Sequence, residues 1–97
     1  MVKINELKDG MRKVDIEVEI TGKGDTRTVR SKFSNDEFRV CDLAVKDETG
    51  IVTLTLWNEQ IEQVNVGDKV QVQNGYVKSF RDDIQLNVGK YGTMIVV

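Results

Sequence analysis

Apolar and polar residues alternate with a period of two over most of this chain, which is the pattern of half-buried β-strands. In the segment 14–20, for example, four apolar residues alternate with three acidic ones. The same pattern recurs four more times, so we predict five strands. They begin near Val14, Phe38, Ile51, Val70 and Ile84. Each strand then has one apolar face, and we expect the five faces to form a single core.

Short polar segments separate the predicted strands. Residues 22–36 form a long polar loop after the first strand. Residues 47–50, D-E-T-G, form a hairpin turn in which Gly50 is expected to supply a positive φ. Between the third and fourth strands we expect Asn58 to cap a short helix, and Ile61 and Val64 of that helix would cover the core.

Two departures from strict alternation predict β-bulges. Phe38 and Val40 have the opposite parity to Cys41 and the apolar residues after it, so we expect a bulge or a sharp coil near Val40. We assign Phe38 to packing, because most aromatic residues of a domain this small belong to the core. Gly75 precedes Tyr76 in the fourth strand, and a bulge there would turn Tyr76 onto the open face of the sheet. Without that bulge Tyr76 would face the core, and the sequence leaves both arrangements open.

The order of these elements predicts an all-β fold. We expect five antiparallel strands, with one short helix between the third and fourth, to close into a small barrel, because closure protects exposed strand edges. This order is that of a five-stranded Greek-key OB-fold. The nearest alternative, an SH3-like barrel, usually lacks a helix at that point. A chain of 97 residues supports one core, so residues 1–97 are predicted to form a single domain.

Composition excludes the commonest kinds of catalytic and metal site. The chain has no histidine and one cysteine, Cys41, which excludes Ser–His and Cys–His catalysis, zinc ribbons and an internal disulfide. We therefore predict neither an enzyme nor a bound cofactor or metal. No apolar run is long enough to cross a bilayer and no signal peptide is present, so we expect a cytoplasmic protein without a membrane partner.

The charges are unevenly distributed along the chain. The formal net charge is −2, yet residues 22–35 contain four basic residues and one acidic residue. The segment 78–83, K-S-F-R-D-D, places basic and acidic residues side by side. This distribution is compatible with a locally basic surface, which the net charge alone would not predict.

Three aromatic residues indicate a ligand with flat rings. Trp57 ends the third strand on its polar face, and Tyr76 and Phe80 lie four residues apart in the fourth. The cations Lys78 and Arg81 are interleaved with the last two rings. Rings beside cations suit unpaired bases, because every base offers a stackable face and every nucleotide a phosphate. Taken singly, each ring could equally belong to the core.

Six segments are spread over nearly the whole chain apart from the long first loop. They are I-N-E-L-K-D-G-M (4–11), D-E-T-G (47–50), L-T-L-W-N (54–58), V-G-D-K-V (66–70), N-G-Y-V-K-S-F (74–80) and I-Q-L-N-V-G (84–89). Together they resemble the single-stranded DNA-binding OB domains of archaea, which include the simple archaeal SSB type and the modules of archaeal replication protein A. The SOSS-complex SSB is also similar. The resemblance implies that bases stack on Trp57, Tyr76 and Phe80.

This resemblance leads to the hypothesis of a non-catalytic, sequence-nonspecific binder of single-stranded DNA in replication, recombination and repair. The strand would cross the open faces of the second and third predicted strands, and the resemblance implies a nucleoid location. The expected phosphate contacts are Arg30, Lys32, Arg39, Lys78 and Arg81, and the expected donors to base edges are Gln85 and Asn87.

Two other functions remain open at this point. The domain could dock another protein subunit through the same groove or through its apolar last segment, or it could bind RNA, as tRNA-binding OB domains do. The chain lacks the Gly/Arg-rich tail of the simple archaeal SSBs and ends in the apolar segment T-M-I-V-V. We therefore expect one module of a longer protein, with other OB domains or subunits of the same assembly as additional partners.

Overall fold

The computed structural model describes residues 1–30, 32, 36–80, 82–88 and 92–97, except for the side chain of Phe80. Seven strands and two 3₁₀ helices lie in this part of the chain. The strands are β1 (Val14–Lys23), β2 (Arg27–Arg30), β3 (Glu37–Asp47), β4 (Gly50–Trp57), β5 (Lys69–Phe80), β6 (Asp83–Asn87) and β7 (Thr93–Val96). The helices are η1 (Ile4–Glu6) and η2 (Asn58–Gln63).

Five of the strands form a closed ring. Hydrogen-bonded neighbours follow the order β1–β3–β4–β6–β5, and β5 pairs again with β1. This ring, with the short helix η2 between its third and fourth strands in sequence, confirms the predicted fold. The expectation of purely antiparallel pairing is wrong, because β4 and β6 run parallel. The long connection through η2 and β5 allows β6 to return beside β4 in the same direction.

Two strands lie outside the ring and were not predicted. β2 forms within the segment expected to be a polar loop, and it pairs with the first residues of β3. All four residues of β2 are exposed, so no alternation of burial marks it in the sequence. Backbone pairing, rather than an apolar face, therefore stabilises β2. β7 pairs with the first half of β5 along the edge opposite to β1, with Val70 facing Val96.

The core fills the inside of the ring. Alternate residues of β1 from Val14 to Ile20 are buried, as the period-two pattern predicts. Cys41 is buried on the inner face of β3. Ile61 of η2 and Val64 just after it are buried in the same cluster, which confirms their predicted role in covering the core.

The bulge expected near Val40 is absent from the described strands. The pairing of β3 with β4 runs without a register shift from Val40, opposite Trp57, to Asp47, opposite Gly50. The shift instead lies in β1, between Ile20 and Gly22. The parity change at Val40 has another cause, because Val40 is buried outside the core cluster and so marks the opposite face of β3.

The bulge predicted at Gly75 is confirmed. Val14 of β1 faces Gly75 and Ile16 faces Val72, so β5 contains one more residue than β1 in this interval. Asn74 adopts a left-handed conformation with φ of +57° at this point. Its backbone N–H donates to Asp15 Oδ1 at 2.9 Å. The extra residue reverses the alternation of β5.

Asp47 organises the turn between β3 and β4. Its Oδ1 accepts hydrogen bonds from the Thr49 N–H (2.6 Å), the Thr49 hydroxyl (2.6 Å) and the Gly50 N–H (3.1 Å). Its Oδ2 accepts one from the Ile4 N–H (2.8 Å), which ties η1 to the turn. The expected positive φ at Gly50 is wrong, because the positive-φ glycines of the described chain are Gly10 and Gly67. A side-chain acceptor replaces the special backbone conformation.

Replacing Asp47 by alanine is expected to lower the free energy of unfolding by about 1–3 kcal/mol, because three backbone donors lose their acceptor. Urea denaturation at neutral pH measures this change. The control is Glu48→Ala, since Glu48 lies beside Asp47 and its ion pair with Lys3 is exposed. Equal stability of the Asp47→Ala variant and the unmodified protein would contradict the assigned role.

The same turn should make stability depend on acidity. Burial would raise the pKa of Asp47, but the hydrogen bonds from Thr49, Ile4 and Gly50 outweigh it and lower that pKa overall. A lowered pKa in the folded state contributes stability above the unfolded pKa, and this contribution is lost as the pH falls below about 4. The stability difference between the unmodified protein and Asp47→Asn should therefore shrink in acid.

Candidate functional site

The strand register places Trp57 and Tyr76 on one outer face of the ring. Directly opposed residues of paired strands project from the same face. Thr55 of β4 opposes Asn87 of β6, and Asn87 opposes Tyr76 of β5. Trp57 lies two residues beyond Thr55 on the same strand and therefore shares its face. The bulge before Gly75 is what brings Tyr76 to this side.

An open groove of about 710 Å³ crosses this face, and we call it the ring groove. Three aromatic side chains line it: Phe38, Trp57 and Tyr76, with 36%, 41% and 38% of their surface exposed. Large aromatic residues in small domains are usually far more buried than this. The other lining residues are Val29, Asn58, Glu59, Gln60, Asn87, Val88 and Gly92.

Trp57 lies where β4 ends and η2 begins. Its backbone N–H donates to Gln60 Oε1 at 3.3 Å. Asn58 accepts a hydrogen bond from the Arg39 N–H through its Oδ1 at 3.0 Å and has a left-handed φ of +54°. Asn58 is thus the first residue of η2, and the prediction that it would be the N-cap is wrong, because Trp57 occupies that position. These contacts fix the backbone that carries the Trp57 ring.

Polar side chains lie between the rings of β4 and β5. Thr55 and Asn87 are buried, each with 6% of its surface exposed. The Thr55 hydroxyl donates to Asp42 Oδ1 at 3.2 Å, and the Asn87 amide donates to the carbonyl of Gln85 at 3.4 Å. Gln85 is half-buried and lies two residues before Asn87 on the same face, opposite Thr53. Asn87 therefore lies at the floor of the ring groove, and Gln85 lies farther along the same face.

β2 pairs with residues 37–40 of β3, and we call this two-stranded segment the β2–β3 ribbon. It turns Arg30 and Arg39 away from the aromatic side chains of the ring groove. Val29 opposes Phe38 in the register, and Arg30 and Arg39 each lie one residue farther along their strands. Because successive residues of a strand face opposite sides, these two arginines project from the other side of the ribbon. Arg27, two residues before Val29, shares its face, and the sequence analysis did not single it out.

The arginines of this region are paired with carboxylates. A hydrogen bond from Arg39, together with the charge of its guanidinium, lowers the pKa of Glu62. These exposed pairs partly neutralise the cations that the sequence assigned to phosphate binding. The pairs are Arg27–Asp42 (3.3 Å), Arg30–Glu37 (2.7 Å) and Arg39–Glu62.

The remaining predicted residues are only partly brought together. Lys78 is exposed and lies two residues beyond Tyr76 on the same face of β5. Lys32 is exposed. Phe80 is the last residue of β5, but its side chain lies outside the described part of the chain, as does the whole of Arg81.

Phe38 lines the ring groove, so its assignment to packing is wrong. It lies beside Val29 across the ribbon and two residues before Val40, which opposes Trp57. The signal was present in the sequence, because Phe38 and Val40 share the parity of the outer face. Strict alternation without a bulge places Phe38 on the same face as Val40, next to Trp57.

The groove combines flat apolar faces with a polar floor. Such a surface can stack against planar rings and form hydrogen bonds with their edges. Among the described residues, no group of three or more histidine, cysteine, aspartate or glutamate side chains could hold a metal ion. Within the same residues, no helix is both long and apolar enough to cross a membrane.

Comparison with known proteins identifies relatives whose names refer to single-stranded DNA binding and to replication. The single-stranded DNA binding protein Ssb of Saccharolobus solfataricus is 31% identical over 87 residues, which are 90% of this chain and 57% of that protein. Replication factor A of Methanothermobacter thermautotrophicus is 30% identical over 88 residues, or 90% of this chain and 11% of that protein. The second OB-fold domain of replication protein A from Methanococcus maripaludis has a TM-score of 0.81 at 27% identity, covering 99% of this chain and 93% of that domain.

These matches confirm the resemblance inferred from the sequence motifs. The chain spans less than two thirds of both curated relatives. The relatives are described as a single-stranded DNA binding protein and a replication factor, which are not enzymes. Residues 5–96 match the family described as single-stranded DNA binding protein Ssb-like, OB fold, and the chain belongs to that family.

Proposed function

We propose that the ring groove binds single-stranded DNA by stacking unpaired bases on Trp57 and Tyr76. Phe38 would supply a further platform, and Phe80 is the third ring that the resemblance implies. The observation that supports this most strongly is the presence of three partly exposed rings, from three different strands, in one open groove. A row of rings with open faces suits successive bases of an unpaired strand, whereas bases of a duplex are already stacked.

The proposed affinity follows from stacking. Each base–aromatic contact contributes about 1–3 kcal/mol, so three contacts at the upper limit of this range, about 9 kcal/mol in total, correspond to micromolar binding. Ordering a flexible strand offsets part of this gain. Stacking accepts any base, so the binding would be nonspecific in sequence. That property suits the coating of exposed strands in replication, recombination and repair at the nucleoid.

Phosphate contacts would come from cations at the margins of the groove. Lys32 and Lys78 are exposed, and Arg81 follows β5 in sequence. Arg30 and Arg39 would have to leave their carboxylate partners to reach a phosphate on the ring side of the ribbon. We therefore propose the lysines and Arg81 as the main phosphate contacts and give the two paired arginines a smaller part.

Fluorescence anisotropy with a labelled oligo-dT tests the proposal. We expect tight binding to the single strand, weak binding to a duplex of the same length, and a slope of about −0.7 in log affinity against log salt for each phosphate contact. Competition with oligo-U in the same assay distinguishes RNA from DNA. Equal affinity for duplex and single strand, or no binding at low salt, would refute the proposal.

Phe38→Ala is expected to weaken oligo-dT binding about 5- to 10-fold, which corresponds to the lower end of one stacking contact. The folded state should persist, because the ring lies outside the core cluster. The matched control is Ile51→Ala, since Ile51 is an exposed apolar residue away from the ring groove. If both variants bind as tightly as the unmodified domain, Phe38 is not a stacking platform.

A second candidate function is docking to another OB domain of the same assembly, and exposed apolar residues favour it. Ile95 and Val96 of β7 and the following Val97 are exposed. In the described part of the chain, β7 pairs only with β5 and so offers a free edge. This candidate fits the proposal that the chain is one module of a longer protein. Apolar docking should survive added salt, whereas phosphate binding should weaken steeply.

A further inference from the structure

A second groove, of about 530 Å³, lies beside the ring groove. One side is the loop 9–13, and the other side is the segment 74–78 of β5. Tyr76 lines both grooves, so the two adjoin at this residue. We call this second site the loop groove. Residues 9–11 of this loop belong to the segment 4–11 that carries the resemblance, but no residue of the loop was predicted to contact a ligand.

Three basic side chains surround the loop groove: Arg12, Lys13 and Lys78. All three are exposed, and within the described residues none of their side chains forms an ion pair or a hydrogen bond. The one acidic lining residue, Asp9, accepts a hydrogen bond from the Ser79 N–H through Oδ1 at 2.9 Å. The groove is therefore bordered by more positive than negative charge.

The loop groove and the β2–β3 ribbon differ in whether their basic side chains are paired with carboxylates. Each of the ribbon arginines that the structure describes is matched by a carboxylate within 3.3 Å or less. The cations of the loop groove have no such partner among the residues that the structure describes, so an incoming phosphate would displace no carboxylate there. A cation that has no carboxylate partner can contact the phosphate of a polyanion without first breaking an ion pair.

Backbone hydrogen bonds hold the loop against β5. The Gly10 N–H donates to the Val77 carbonyl at 3.0 Å, and the Val77 N–H donates to the Met11 carbonyl at 2.9 Å. Gly10 has φ of +87° and Lys13 has φ of +55°, so the loop turns sharply at both ends. The cations are thereby attached to a backbone that is fixed relative to Tyr76.

We infer that the loop groove binds the phosphates of the nucleic-acid strand where it leaves the ring groove past Tyr76. Arg12, Lys13 and Lys78 would contact consecutive phosphates without reading the bases. The inference rests on the proposed function, because it extends the path of the same strand. It predicts that the strand makes contacts on both sides of Tyr76, so that longer oligonucleotides bind more tightly than those that fill the ring groove alone.

A length series tests the inference with the double variant Arg12→Gln/Lys13→Gln. Oligo-dT of about 4 to 16 nucleotides, the range of OB-fold site sizes, is titrated at low and moderate salt. The control is Lys46→Gln/Lys69→Gln, which removes the same charge from a different groove, one that also contains Glu17 and Glu19. Circular dichroism and thermal unfolding of both variants verify that they remain folded.

We expect the double variant to bind the shortest oligomers normally and the longest about 5- to 10-fold more weakly. Two lost phosphate contacts reduce the salt slope by about 1.4, so between 50 and 200 mM salt the unmodified domain should lose about 7-fold more affinity than the variant. The control should behave like the unmodified domain at every length.

Two results overturn the inference while leaving the proposed function intact. In the first, the unmodified domain binds oligo-dT and the double variant matches it at every length. In the second, the double variant and the control lose affinity equally, or the loss is the same for short and long oligomers, which would show a general effect of charge. A failure of the unmodified domain to bind any oligomer would instead refute the proposed function itself.

Discussion

Trp57→Ala is expected to weaken oligo-dT binding about 5- to 150-fold, because one stacking contact contributes about 1–3 kcal/mol. Trp57 ends β4 with 41% of its surface exposed, and its ring lies outside the core cluster, so the loss should occur without unfolding. Isothermal titration calorimetry measures the affinity, and thermal unfolding verifies the folded state.

Trp57→Phe is the matched control for this variant. It keeps a flat ring at the same backbone position and should recover most of the affinity. If Trp57→Ala binds as tightly as the unmodified domain, or if Trp57→Phe is as weak as the alanine variant, stacking at this position is not the source of binding.

Gly75→Ala should lower the melting temperature by about 10 °C. A Cβ at this position would lie 2.8 Å from the Asn87 carbonyl oxygen and 2.9 Å from Val72 Cγ1, and the carbonyl belongs to the paired backbone of β6. Overpacking of this kind typically destabilises a protein by about 1–3 kcal/mol. In a domain of this size, 1 kcal/mol shifts the melting temperature by about 4–8 °C.

The same substitution should also weaken binding, because relief of the clash has to move the bulge that orients Tyr76. Gly50→Ala is the control, since a Cβ there would meet only Ile4 Cγ2 at 3.5 Å, which is an ordinary contact. Differential scanning calorimetry measures the melting temperatures of both variants. A Gly75→Ala protein as stable as Gly50→Ala would show that the close approach of β6 is not a constraint.

The ring strands were predictable because their burial is periodic. Each has an apolar face toward the core, and that periodicity is written directly in the amino-acid sequence. Gly75 was also informative, since a glycine within a strand marks either a bulge or a close backbone approach, and here it marks both. The position of Tyr76 on the open face followed from this one residue.

Other features had no comparable signal. β2 is exposed along its whole length, so only its pairing with β3 defines it. The parallel pairing of β4 and β6 depends on how the chain returns after η2, which local alternation does not encode. The parity change at Val40 has two possible physical causes, a bulge or a change of the buried face, and the sequence does not distinguish them.

Charge was the least predictable part of the site. Four basic residues against one acid in the segment 22–35 suggested a phosphate-binding surface. The structure pairs the two arginines of that segment with Asp42 and Glu37, which lie farther along the chain on β3. Within the described residues, Arg12 and Lys13 of the loop 9–13 form no ion pair, although the sequence shows no cluster of basic residues there. Local counts of charge therefore locate cations but do not show which of them are available to a ligand.

The emission of Trp57 during titration with oligo-dT tests base stacking directly, because this is the single tryptophan of the chain. The titration is compared with an abasic oligomer of the same length, which has the same phosphates and no bases. Stacking predicts strong quenching by oligo-dT that saturates with binding, and little change with the abasic oligomer. Unchanged emission on saturation with oligo-dT, or equal quenching by both oligomers, would contradict base stacking in the ring groove.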